Sequence, residues 1–93
     1  MALDPEALAQ LARLLGNDAL RTSTEIEVRA AVSANIERLA AGLVAEAAAS
    51  DDVSDRQTAL DFVESRISFF NDLLEDETRT RLWGAIQDKI DTW

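Results

Sequence analysis

The sequence predicts an all-α protein: a compact bundle of three to four helices, with a long second helix and antiparallel helix pairs. Three observations point there. Apolar residues recur at intervals of three and four rather than two. Glycine totals three and proline one, fewer turn residues than an all-β chain of 93 residues requires. Hydroxyl residues followed three positions later by Glu or Gln precede the apolar runs, the spacing of a capping box.

The first helix is expected over Pro5–Leu15. Asp4 suits the N-cap, Pro5 the first helical position, and Glu6 the positive end of the helix dipole. Leu8, Leu11, Leu14 and Leu15 form its apolar stripe, and Gly16 is a C-terminal stop. A polar connector follows, with Ala19 and Leu20 expected beneath it. The second helix starts near Thr24, where Thr24 with Glu27 and Thr22 with Glu25 both fit a capping box, and runs to Ala49. Val28, Val32, Ile36, Leu39 and Leu43 make one narrow core stripe along it. Ala30, Ala34, Ala41, Ala45 and Ala48 lie on another side, either solvent-facing or open to a second helix.

Ser54 with Gln57 offers a further capping box, so the third helix is expected from there to Leu74. It carries two adjacent apolar stripes, Leu60, Val63, Ile67, Phe70 and Leu74, and Phe62, Phe69 and Leu73. A short acidic break at Glu75–Glu77 precedes a fourth helix with Leu82, Trp83, Ile86 and Ile90; the break is weak enough that the third and fourth helices could be continuous. Helices two and three are expected to form the main antiparallel pair, with helices one and four closing the bundle. The connectors are short and no repeat divides the chain, so residues 1–93 read as one helical domain.

Composition excludes more than it assigns. There is no Cys and no His, which removes thiolate chemistry, the commonest general base and the commonest transition-metal ligand. No enzyme activity, cofactor or metal site is expected. Asp51, Asp52 and Asp55 lack the spacing of a calcium loop, and Glu75, Asp76 and Glu77 read as a solvated turn. Lys89 is the single lysine and is expected at the surface. A net charge of −9 disfavours direct binding of nucleic acid or of an anionic membrane. The longest apolar stretch, 39–45, is far short of the roughly 20 residues of a membrane span. The first ten residues lack the pattern of a secretory leader, so the expectation is a cytoplasmic protein.

Arg66 is the most informative residue. Phe62, Phe69, Phe70 and Leu73 surround it at helical spacing, so its guanidinium must pair, snorkel, or meet a partner. Aromatic residues and arginine are enriched at protein interfaces. Phe62, Arg66, Phe69 and Leu73, with Trp93 at the chain end, are therefore the candidate interface, whereas Trp83 is the expected core anchor. The expected function is a small acidic interaction or assembly module, an adaptor or regulatory subunit, acting as a homodimer or with a protein partner. The alternative is an acidic inhibitor that imitates nucleic acid and blocks a DNA- or RNA-binding protein. A third reading, an enzyme or small-ligand binder, would need a buried cavity lined by Arg66 and a carboxylate.

Overall fold

A computed structural model describes residues 4–92, all-helical with no strand among them. Five α-helices follow in order: α1 (Pro5–Leu15), α2 (Glu25–Ala34), α3 (Ile36–Ala49), α4 (Arg56–Ile67) and α5 (Asp76–Asp91). Two 3-10 turns, Asp18–Thr22 and Asn71–Leu73, join α1 to α2 and α4 to α5. The globule measures 36 × 25 × 21 Å.

Local chemistry sets the ends of α1. The Asp4 carboxylate accepts the Glu6 N–H at 2.9 Å. At the other end Gly16 adopts φ 63°, left-handed backbone that glycine takes without steric cost, and its N–H reaches the Ala12 and Arg13 carbonyls. Leu8, Leu11, Leu14 and Leu15 are all buried, as is Leu20 in the following turn, whereas Ala19 is exposed.

At α2 the capping box is Thr24 with Glu27: the Glu27 N–H donates to the Thr24 hydroxyl at 3.3 Å, and the Thr24 N–H donates to Glu27 at 2.9 Å. The long second helix expected from Thr24 to Ala49 is corrected here, because it breaks at Asn35. The Asn35 side-chain amide donates to the Ala31 carbonyl at 2.7 Å, the acceptor its own backbone N–H would use in a continuous helix. That N–H turns instead to Val32, at 3.1 Å. The Asn35 carbonyl then accepts from Leu39 at 2.9 Å and α3 begins. The predicted stripe survives the break: Val28, Val32, Ile36, Leu39 and Leu43 are all buried.

The third helix is also shorter than expected at both ends. Its cap is Asp55, one residue past Ser54, in a reciprocal box with Thr58; the Thr58 N–H donates to the Asp55 carboxylate at 2.9 Å. It stops at Ile67 rather than Leu74, for a reason like that at Asn35. The Ser68 hydroxyl donates to the Ser65 carbonyl at 2.6 Å, the acceptor that Phe69 N–H would take in a helix. Phe69 and Phe70 bond to Arg66 and Ile67 instead, three residues back. The chain winds through the second 3-10 turn, burying Phe70, Leu73 and Leu74, so α4 and α5 are separate helices.

The core is one cluster, with α3 at its centre. Helix α3 meets α5 most extensively and also packs on α1 and α4, so the pair expected to dominate, α3 with α4, is secondary. Gly42 lets α1 approach α3: a Cβ there would stand 3.1 Å from Leu14 Cδ2. Leu82, Ile86 and Ile90 supply the α5 side of the core.

Candidate interaction surface

Arg66 and Phe62 project from one flank of α4. The Arg66 guanidinium lies over the Phe62 ring, 4.8 Å from its centroid, and both side chains are half-buried. Such a cation–π contact contributes about 0.5–1 kcal/mol at an exposed site. It also shows how the arginine is accommodated: its head rests on a ring, with no carboxylate within 4 Å among the described residues.

The rest of the predicted patch divides. Phe69 follows Arg66 by one 3-10 turn, and residues three apart in such a turn eclipse, so it stays on the Arg66 side; it is 40% exposed. Leu73 falls beyond the end of α4 and is a core residue, 6% exposed. Trp93 lies outside the described residues. Trp83 is half-buried against the core.

The acidic turns carry structural work. Asp55 caps α4, and the Thr58 N–H and hydroxyl hold its carboxyl below the usual carboxylate range. Thr24 does the same for Glu27 at α2. Among the described residues no three carboxylates converge to hold a metal ion. Lys89 is half-buried and pairs with Glu37 at 3.2 Å. Arg13 pairs with Glu46 and Arg56 with Asp91.

Two surface features were not singled out from the sequence. Ile26 is 80% exposed on the first turn of α2. Its signal was there to read: two residues before Val28, it stands roughly 120° around the helix from the centre of the core stripe. The second feature is a pair of arginines that tie down the α4–α5 connector. Arg29 donates to the Glu25 carboxylate and to the Asp72 carbonyl at 2.6 Å. Arg79 donates to the Asn71 side chain at 2.9 Å, to the Leu74 carbonyl at 3.1 Å and to Asp76 at 2.9 Å. Sequence spacing alone cannot show contacts of this kind to carbonyls outside a helix.

The predicted alanine face also resolves. Ala30, Ala34, Ala41, Ala45 and Ala48 are all exposed, and the turn at Asn35 divides them between two helices. Comparison with known proteins returns no matching family model, no matching curated protein and no matching solved structure.

Proposed function

We propose that the protein is a small acidic interaction or assembly module, an adaptor or regulatory subunit without catalysis of its own. It would act in the cytoplasm, as a homodimer or with a protein partner. The observation that carries this reading is the Phe62–Arg66–Phe69 surface. One phenylalanine ring supports a guanidinium that has no carboxylate within 4 Å among the described residues, and a second, one turn on, stands 40% exposed. Aromatic and arginine side chains held this way are the residue types that dominate binding energy when a partner excludes water from them.

Imitation of nucleic acid draws less support. Among the described residues six of the eighteen carboxylates are paired with arginine or lysine, so negative charge is interleaved with positive. Arg66→Glu tests the favoured reading. Self-association is followed by analytical ultracentrifugation, partner capture by affinity purification from the native host, and helicity by circular dichroism. The expected result is weakened association with helicity retained. A variant that associates as the wild type does, or a strictly monomeric wild type that recovers no partner, refutes it.

A further inference from the structure

Two surface depressions flank the α4–α5 connector, and they share one chemical design. The first, about 280 Å³, has Ile26 and Ala30 on its apolar wall and Glu75 at its edge. Arg29 also lines it, but that guanidinium is held by Glu25 and the Asp72 carbonyl. The hydroxyl of Ser33, another lining residue, is within 3.1 Å of the Thr78 hydroxyl. Glu75 is thus the one charged group there without an ion-pair partner among the described residues. The second depression, about 390 Å³, has Ile67 and the half-buried Trp83 as its apolar wall. Its arginine, Arg79, is likewise engaged, by Asn71, Leu74 and Asp76, while Glu64 and Asp72 carry no ion pair among the described residues. Asp72 links the two: its carbonyl holds the arginine of the first depression, and the residue lines the second.

An apolar wall with a free carboxylate at its edge fits an amphipathic cation. A lysine or arginine side chain lays its aliphatic stem on the wall and keeps its charged head at the rim. Charge complementarity favours the same occupant. Glu25, Glu64, Asp72, Glu75, Asp76 and Glu77 lie on or beside the connector against Arg29, Arg66 and Arg79, and of these Arg66 stands roughly 160° around α4 from Glu64. We propose that these paired depressions dock a basic segment of a partner protein, one Lys or Arg stem against Ile26 and another against Trp83. Their heads would sit at Glu75 and at Glu64 with Asp72. The proposal rests on the reading of the chain as an interaction module and adds the chemistry of the partner. The surface is distinct from the Arg66 flank, since Glu64 stands roughly 160° around α4 from Phe62.

The test uses the full chain and a capped synthetic peptide of three lysines separated by Gly-Ser, with binding mapped by amide and indole NMR shifts at low salt. Shifts are expected at Ile26, Ala30, Asp72–Glu77 and the Trp83 indole. Replacing each lysine by diaminobutyric acid, at about pH 6 where its amine stays protonated, keeps the charge and removes half of the stem, and should weaken binding at least about fivefold. The double substitution Glu64→Gln with Glu75→Gln should also weaken it at least about fivefold. Asp51→Asn with Asp52→Asn makes the same charge change at the α3–α4 turn and, with the two double variants compared at about 0.15 M salt, where screening acts within about 8 Å, should alter binding less than about twofold. Equal losses from the two double variants, shifts spread over all the acidic surface, or no binding at low salt would each overturn the proposal. The Arg66→Glu variant adds negative charge away from the depressions and should bind the peptide no more weakly than the wild type, so failure here and failure of the interaction-module reading are separately visible.

Discussion

Replacing each of the three glycines by alanine should give three outcomes of differing sign, because the same added methyl meets three different surroundings. Gly84 lies inside α5, is exposed, and a Cβ there would meet nothing within 4 Å. Gly84→Ala should therefore realise the full helix-propensity difference, about 1 kcal/mol. For a domain of this size that raises Tm by about 4–8 °C. Gly42 is also helical, but its Cβ would approach Leu14 Cδ2 to 3.1 Å, with the Leu14 carbonyl at 3.5 Å behind it. Leu14 is buried and must yield, and overpacking of this kind costs roughly 1–3 kcal/mol, which cancels or outweighs the propensity gain. Gly16 sits at φ 63°, where an L side chain costs roughly 1–2 kcal/mol; the Arg38 guanidinium, 2.8 Å from the new methyl, can swing aside. Restricting the unfolded chain returns about 0.4–1 kcal/mol, leaving a net loss near 1 kcal/mol. Thermal and urea unfolding followed at 222 nm reads all three. If Gly42→Ala stabilises as much as Gly84→Ala, the close approach of α1 to α3 is refuted. A Gly16→Ala variant as stable as the wild type refutes the left-handed stop of α1.

Gln10 is buried with an amide oxygen that has no hydrogen-bond partner among the described residues, so Gln10→Met, which keeps the side-chain shape, should stabilise by about 1–2 kcal/mol in urea titration; a loss instead would show that the amide is satisfied in solution. Asn35→Ala removes the side-chain donor that ends α2 and should increase helicity at 222 nm; unchanged helicity would mean that packing rather than the amide sets the break. Asp55 and Glu27 have carboxyls held below their ordinary range, so they stabilise the fold at pH values above the unfolded-state range near 4. That contribution is lost as pH falls through the lowered folded values. Asp55→Asn keeps an acceptor for Thr58 and removes the titration, so its acid-unfolding curve should be shallower than that of the wild type; an identical curve would contradict the assignment.

The helical class and most of the core were legible because burial follows periodicity. Leu8, Val28, Ile36, Val63 and Ile86 were all placed by spacing and are all buried. Helix ends were legible where a cap lies in a local pattern, as at Asp4, Gly16 and Thr24. They were not legible where a side chain competes with the backbone for a carbonyl. Asn35 and Ser68 are both acceptable inside a helix by propensity, and only the contacts to Ala31 and Ser65 show that each ends one. The error at Ser68 carried into the candidate surface. Continued helical spacing placed Leu73 beside Phe69, whereas the 3-10 turn sends Leu73 into the core and leaves Phe69 outside.

The two arginines of the connector change what the acidity implies. A segment carrying Asp72, Glu75, Asp76 and Glu77 within six residues repels itself, and no long apolar side chain follows Leu74 until Leu82 to hold it down. Arg29 and Arg79 supply the restraint by bonding to the Asp72, Asn71 and Leu74 carbonyls and the Asn71 side chain, and among the described residues each takes one carboxylate as a partner, Glu25 and Asp76. Holding the backbone in this way leaves Asp72, Glu75 and Glu77 outside any ion pair among the described residues, on a fixed turn rather than a loose one. Fixed charge loses less entropy when a partner docks than charge on a mobile loop. The unequal weight of the charge along the chain thus gathers at an acidic corner tied by two arginines, beside the apolar side chains of Ile26 and Trp83 and opposite in character to the arginine-on-phenylalanine flank of α4.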